Sequence, residues 1–442
     1  MYKFKLKSNY LFLLLISFCT AHLFCETNKI NLDKSVEFAK KNRLDLEGFN
    51  YLICANWYDE RAALGGYLPQ ISILTESGKS SEPEPTGGGI SPIPRESIAV
   101  DITQLIFSYD GPLVQYKIAQ EETNISRAQK ETLQRLIRIS TETSFLEAKK
   151  ILLKKASIKS RDQSSQETFA QSKSRKKVGF FNKEQWKNAK FKYSEDQAHV
   201  KGYPDDVDTA ISILEREMSI DIEKQDVSLE YKELDEIEFK NVKFYKKRAL
   251  LNRPELTELT HKIKQAEYSE KFYRYKYIPE IYFNAVLQKN RIYDCVPNEI
   301  YEAFPIFDNE PFFWHVGVKI TWNFDGLSSF NTSRKFDNLS TNFLLQKRDL
   351  ELNIQKDVEV EYNTLGTLLI TLDPMEKRYK AIKAKLENIK KQYDVGLAPF
   401  FKYKQAQFDY KQAEFDLIAL KIDIKNSHQK LLFLCGYPPD IS

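Results

Sequence analysis

The stretch "WHVGVKITWNFDGLSSF", Trp314 to Phe330, decides how the rest of the chain is read. Trp314, Val316, Val318, Ile320, Trp322 and Phe324 fall on one face of an alternating pattern, and His315, Gly317, Lys319, Thr321 and Asn323 on the other. A period of two marks a strand with a single apolar face. Eleven residues, with aromatics at both ends, is the length and dressing of a strand that crosses a membrane within a β-barrel. His315 then reads as a polar residue facing a lumen. The pattern stops at Asp325-Gly326, and a charged helical sequence follows.

The same phrase is written earlier. In "SIAVDITQLIFSYDGPL", Ser97 to Leu113, the residues Ile98, Val100, Ile102 and Ile106 point outward, Asp101 and Thr103 point inward, and the run stops at Asp110-Gly111. Other passages recur in matching order. "KKNRLDLEG" from Lys40 returns as "LLNRPELTE" from Leu250, and "GGYLPQISI" from Gly65 as "YKYIPEIYF" from Tyr275. "KKVGFF" from Lys176 returns as "YDVGLAPFF" from Tyr393. Asn42 to Pro69 and Asn252 to Pro279 are both 27 residues, and the Asp-Gly to Val-Gly intervals are 68 and 70. Ordered anchors at nearly constant spacing indicate an internal duplication, residues 26–235 and 236–442.

Each half reads helix, proline, strand, loop, strand, Asp-Gly, long helix, Val-Gly turn, returning helix. Pro69 and Pro279 mark helix-to-strand entries, because proline bars the residue before it from helical geometry. The hairpins are expected at about 70–107 and 280–324. "QISILTES" and "EIYFNAVLQ" give their weaker strands. Ser77–Ser97, rich in Gly, Pro and Ser, reads as an exposed flexible loop. Lys289–Pro311 is as long but aromatic, suited to folding over its hairpin. Four strands cannot close a barrel that needs about eight, and an open sheet edge is not viable in lipid. The chain is therefore expected to oligomerise, and a trimer would supply twelve strands.

The first 25 residues read as an export signal: three lysines in "MYKFKLKSNY", then the short apolar core Leu11–Cys19. Cleavage after Ala21 or Cys25 fits. Lipidation at Cys25 would want a small residue before it, and Phe24 is not small. No later stretch approaches the ~18 apolar residues of a transmembrane helix. A net charge of +4 over 442 residues gives no global field for nucleic acid. The cysteines beyond the signal (Cys54, Cys295, Cys435) are scattered and odd in number, against a disulfide framework or a metal site. No nucleophile–base set or phosphate-binding glycine loop appears, so neither an enzyme nor a cofactor is expected.

Between the turns, apolar residues recur every seventh position. Ile118, Ile125, Thr132, Ile139, Leu146 and Leu153 do so in the first half, as do Tyr403, Tyr410, Leu417, Ile424 and Leu431 near the end. Ala406, Ala413, Leu420, Ser427 and Leu434 are the heptad partners of the second set. Sixty-eight residues of unbroken helix would reach about 100 Å. Heptads alone suit an ordinary helical bundle equally well. An exported coiled-coil scaffold or adhesin explains them and the signal, but not the eleven-residue alternating strands.

With these motifs in order ("NRLDL" and "NRPEL", "YLP" and "YIP", "FSYDG" and "WNFDG", "VGF" and "YDVGL"), the chain resembles the TolC-like outer-membrane efflux and secretion channel family over nearly all its mature length. The resemblance implies a mixed α/β membrane protein: a homotrimeric twelve-stranded barrel in outer-membrane lipid, continuous with a long periplasmic coiled-coil α-barrel. It implies an exit duct of a tripartite efflux pump or type I secretion system. Its partners would be a periplasmic adaptor (membrane-fusion) protein and an inner-membrane pump of RND or ABC type.

On the same resemblance, Val178-Gly179-Phe180 and Val395-Gly396-Leu397 are the helix-hairpin tips where the adaptor docks. Asp110-Gly111 and Asp325-Gly326 are strand-to-helix exits, and Trp314 through Phe324 supply a lipid-facing strand. The periplasmic aperture falls on Gln185, Tyr393, Lys402 and Gln405. Two departures stand out. Members of the family carry paired acids where this chain has Lys402 and Gln405, and its nearest downstream acid is Asp409. Cation binding at the mouth is therefore not expected. The segment "KGYPDDVDT", Lys201–Thr209, is expected to kink or interrupt the returning helix and, with Glu230–Lys247, to enlarge the mid-helix region.

Overall fold

The computed structural model describes residues 30–83, 90–109, 111–179, 183–221, 229–230, 239–292 and 312–436. The first half holds β1 (Ile30–Asn31), α1 (Leu32–Asn42), α2 (Leu44–Gly65), β2 (Gln70–Pro83), β3 (Ile90–Phe107), α3 (Pro112–Leu153), α4 (Lys155–Lys177), α5 (Lys183–Met218) and β4 (Leu229–Glu230). The second holds α6 (Val242–Asn252), α7 (Pro254–Arg274), β5 (Glu280–Ile292), β6 (Phe312–Thr321), α8 (Ser328–Asp394) and α9 (Phe400–Leu434). These residues form two compact units, each drawing on both halves. A sheet unit takes Gly48–Glu131 and Pro254–Leu352, and a helical unit takes the remainder. No helix among the described residues is long and apolar enough to cross a membrane.

In the sheet unit, β2, β3, β5 and β6 form one antiparallel sheet in that order. Both prolines sit where a helix must end: α2 stops at Gly65 and α7 at Arg274, and the strands begin at Gln70 and Glu280, directly after Pro69 and Pro279. Within the expected Ser77–Ser97 loop, Ser77–Pro83 and Ile90–Ser97 are strand, and residues 84–89 lie outside the described residues. The β2–β3 ladder continues to Pro83 opposite Ile90, because an unbroken antiparallel register carries even a Gly/Pro/Ser-rich sequence as strand. β2 and β5, the weaker readings from sequence, are 14 and 13 residues long. The final strand is shorter than the alternation implied, since β6 ends at Thr321 and leaves Trp322 and Phe324 beyond it. Trp322 instead donates its indole N–H to the Tyr277 carbonyl at 2.8 Å. The register of β3 against β5 shifts between Leu105 and Phe107, so Ile106 lies at an irregularity rather than on a regular rung. Lys289–Ile292 is strand, and the rest of the aromatic loop lies outside the described residues.

The helical unit has its core where four elements meet. Ile30, Phe145, Leu146, Ala148, Ala210, Leu214, Met218 and Ile422 bring together β1, α3, α5 and α9. β1 pairs in parallel with β4, a two-residue bridge that no period in the sequence signalled. The heptads pack as expected in α9, where Ala406, Ala413, Ile424, Ser427 and Leu431 are all buried. Polar rungs across the α3/α4–α9 seam keep the same step: Thr143–Asn426 (3.1 Å), Ser157–Gln412 (2.6 Å) and Ser164–Gln405 (3.1 Å). Partners that rise on one helix and fall on the other make this an antiparallel coiled coil.

Two readings of the long helices need correcting. The first is not continuous: α3 ends at Leu153 and α4 begins at Lys155, whereas α8 runs unbroken for 67 residues through Pro374. Lys201–Thr209 does not interrupt the returning helix, because α5 runs from Lys183 to Met218 with Pro204 inside it. Tyr203, beside that proline, donates its hydroxyl to the carbonyls of Ile151 (3.1 Å) and Leu152 (3.3 Å), where the α3–α4 turn disturbs the helical ladder. The enlargement expected at Glu230–Lys247 falls in part on 231–238, outside the described residues, while the stretch from Val242 on belongs to α6.

The NR motifs occupy corresponding places. α5 ends at Ser219 (φ 53°) with Ile220 N–H to the Glu215 carbonyl, and Arg43 bonds Glu217 at 3.3 Å. α9 is followed by Gly436 (φ 69°), whose Cβ position would meet the Asn252 carbonyl at 2.7 Å, and the Arg253 guanidinium lies 6.0 Å from the Phe433 ring. A left-handed residue closing a helix against the NR turn occurs in each half.

Within α3, burial pushes the Glu142 carboxyl above its ordinary value of 4.5, against the opposing pull of Arg138 at 2.8 Å. The folded chain therefore keeps this proton to higher pH than the unfolded chain. The associated stability is fully present below pH 4.5 and is lost as pH rises through the raised value. Glu142→Gln should flatten that decline in urea midpoints taken between about pH 4 and 7. Equal slopes for variant and wild type would refute this.

Candidate functional site

The sheet unit presents two chemically opposite faces. Cross-strand rows Ile73–Val100–Leu287–Trp314 and Ile71–Ile102–Ala285–Val316 share one face, continued by Phe283–Val318 and Ile281–Ile320. This face is bare: Ile73, Trp314, Val318 and Ile320 are 68%, 75%, 64% and 67% exposed. On the opposite face run Ser72–Asp101–Val286–His315 and Gln70–Thr103–Asn284–Gly317. There Asn284 donates to Asp101 at 2.7 Å, and Thr103 donates to the same carboxylate at 3.2 Å. His315 lies on this polar face, as expected. β2 and β6 are the sheet's edges, and among the described residues neither has a strand beyond it. An apolar face of this extent, bounded by two open edges, is not a stable surface for a lone chain in water.

Where strands give way to helices, aromatic side chains gather. Tyr109 lies 4.4 Å from Tyr275, Tyr277 lies 6.2 Å from Phe324, and the Tyr277 hydroxyl accepts from the Phe330 N–H at 3.0 Å. Asp325 caps α8: its carboxylate accepts from the hydroxyl and the amide N–H of Ser329, which holds it below the usual carboxylate range. Gly326 (φ 62°) and Leu327 (φ 71°) turn the chain between strand and helix. At the first exit, a Cβ on Gly111 would meet Ser108 at 2.8 Å, so only glycine fits that turn. Asp110 lies outside the described residues.

The helical unit carries both Val-Gly turns. Gly179 (φ 80°) follows α4, and Gly396 (φ 76°) follows α8. At the second turn the Leu397 N–H reaches the Gln392 carbonyl (2.7 Å) and the Gly396 N–H the Tyr393 carbonyl (2.9 Å), a Schellman closure that demands a left-handed residue. In this closure the residue after the glycine usually folds its side chain back onto the helix. Leu397 is instead 80% exposed, while Val178 and Val395 are each 70% exposed. Phe180 lies outside the described residues.

The seam rungs place the two turns together. α4 runs toward its turn and α9 away from its own, and Ser164 meets Gln405 a few helical turns short of both. Both tips therefore lie at one end of the helical unit. Tyr393 stacks on Tyr403 at 5.2 Å and meets Phe400 at 5.7 Å, which joins the end of α8 to the start of α9. Lys402 is exposed in the first turn of α9, and Gln185 in the first turn of α5. Gln405 is held between Ser164 and Asp409, and Asp409 also meets Lys385 at 3.6 Å. The downstream acid is thus already paired.

Sequence reasoning missed the stack that stiffens the first tip. Phe169 lies between Trp186 (5.6 Å) and Tyr193 (4.3 Å), and the Lys176 ammonium sits 4.2 Å from the Trp186 ring. The seven-residue step from Trp186 to Tyr193 was the available signal.

No family model matches the sequence, and no curated protein matches it. Solved structures do. Similar structures include the Campylobacter jejuni CmeC outer membrane channel (TM-score 0.75, 14% identity, 93% of this chain and 87% of that one). Another is the outer membrane protein VceC from Vibrio cholerae (TM-score 0.71, 13% identity, 92% and 96%). The chain has the TolC-like fold. A third TolC-like neighbour is the Neisseria gonorrhoeae MtrE outer membrane channel in its open state (TM-score 0.66, 13% identity, 92% and 88%). At these identities the shared property is the TolC-like path of the chain, mostly helical with one small antiparallel sheet.

Proposed function

We propose that the chain is one protomer of a homotrimeric outer-membrane exit duct, serving a tripartite efflux pump or a type I secretion system. The observation that carries this reading is the four-stranded sheet with a continuous bare apolar face, a hydrogen-bonded polar face and two open edges. Three copies joined edge to edge would close a twelve-stranded barrel, apolar toward outer-membrane lipid and polar toward a lumen. The aromatic cluster at Tyr277 and Trp322 suits the lipid–water boundary. The matching helix ends at Ser219 and Gly436 support an internal duplication. The α-helices would continue the duct through the periplasm.

The exposed tips at Val178-Gly179 and Val395-Gly396-Leu397 are then the docking points for a periplasmic adaptor. That adaptor would link the duct to an inner-membrane pump of RND or ABC type, which supplies the energy. An exported scaffold or adhesin would leave the apolar face and open edges without a purpose. Planar-bilayer recording decides between the two: detergent-extracted oligomers should give discrete, uniform conductance steps. Oligomers that are intact yet silent would sink the duct reading.

A further inference from the structure

The end of the helical unit that carries both tips has a charge composition unlike the rest of the chain. Between Lys173 and Lys192 eight side chains are basic and Glu184 is the one acid. Between Lys390 and Lys404 four are basic and Asp394 is the one acid. The whole chain of 442 residues carries a net charge of only +4, so the remainder is acidic on balance. Elsewhere along the helices a number of charges sit in matched pairs, among them Arg138–Glu142, Lys262–Glu258 and Lys377–Asp373. Among the described residues, Lys177, Lys183, Lys187, Lys190 and Lys402 are exposed and form no ion pair.

Helix stability does not account for this excess. Arg175, Lys176 and Lys177 close α4 and complement its dipole there. Lys183 instead opens α5, and Lys402 lies in the first turn of α9, where the positive end of the helix dipole disfavours a cation. Because the antiparallel seam brings both tips to one end, the two cationic groups share one neighbourhood. Twelve basic side chains against two acids in these stretches leave most of the repulsion among them unmatched there.

We propose that this end binds multivalent anions of phosphate-like chemistry and concentrates anions where they enter the duct. The proposal rests on the duct reading and on the tips forming its periplasmic mouth. Repeated around an oligomer, the cationic groups form a ring whose potential, within a Debye length of about 8 Å at physiological salt and about 30 Å at 0.01 M, favours anions over cations. A multivalent anion gains more from such a ring than chloride does, because its charge multiplies the potential it feels. Negatively charged cargo would be drawn to this mouth and positively charged cargo held back.

Two measurements on the full-length protein test this separately from the duct itself. In calorimetry of the detergent-solubilised oligomer, inorganic pyrophosphate should bind, and more weakly as KCl rises. K187E/K190E/K402E should weaken that binding at least tenfold, while K187R/K190R/K402R retains it. In planar bilayers under a dilute KCl gradient, the reversal potential should have the sign of chloride selectivity. Micromolar to millimolar pyrophosphate on the tip side should reduce conductance, and the glutamate variant should lose both effects. Channels that conduct but prefer potassium and ignore pyrophosphate would overturn this inference and leave the duct intact. Pyrophosphate binding without conductance would uphold the anion site and remove the duct. Calorimetry without binding, or binding equally strong in the glutamate variant, would overturn the site.

Discussion

Val318→Arg should eliminate membrane-inserted oligomer, while Lys319→Glu, one residue along, should leave it in place. Val318 lies midway along the row from Trp314 to Trp322 and is 64% exposed on the apolar face. Lys319 is also exposed but points to the other face, opposite Tyr282 on β5. Arginine on the lipid face of a barrel strand costs about 2–4 kcal/mol near the midplane, and each copy in the assembly carries that cost. One copy's share alone lowers the insertion equilibrium by about thirtyfold to a thousandfold. On the polar face a reversed charge meets water and polar side chains, and the change should be small. The check is the fraction of chain recovered as heat-resistant oligomer from outer-membrane preparations. Equal recovery of the two variants would mean that the face assignment is wrong. Loss with Lys319→Glu alone would mean that it is inverted.

The contrast turns on period two, and period two is what made the sheet legible before any coordinates. Trp314 to Ile320 alternate so cleanly that one register satisfies them, and the structure adopts it. The strand's end was less legible, because Trp322 and Phe324 continue the alternation in sequence. They stop being strand because β5 begins at Glu280, opposite Thr321, and Pro279 before it has no N–H with which to extend the ladder. Proline misled at Pro204, where α5 runs on without interruption. The residue before it, Tyr203, donates to the Ile151 and Leu152 carbonyls of α3, a contact between helices that no local pattern reveals. The short β1–β4 pair has too few residues for any periodicity. The tips were legible as glycines between helical patterns, since a left-handed closure leaves little other choice at Gly396. That they share one end was not. This depends on the antiparallel rungs between α4 and α9, a long-range register fixed by packing rather than by either sequence alone.

Phe145→Ala should cost the helical unit about 3–5 kcal/mol, as buried aromatic truncations do. Phe145 is fully buried in the cluster that joins β1, α3, α5 and α9, so its ring is shared by parts of both halves. Its neighbours Ala148 and Ala210 are too short to reach into the space it would leave. Met218 can partly do so, since an unbranched side chain adapts to irregular gaps. Phe145→Leu keeps much of the volume and should cost less than about 1.5 kcal/mol. Leu214→Ala empties the same cluster from α5 and should cost about 2–5 kcal/mol by itself. The two truncations should not add, because each relaxes the walls that the other would leave unsupported. Urea unfolding followed by helical circular dichroism measures all four variants. A double variant that loses the full arithmetic total would show that Phe145 and Leu214 sit in separate cores. That would remove the packing link by which β1 and the three helices are held as one unit.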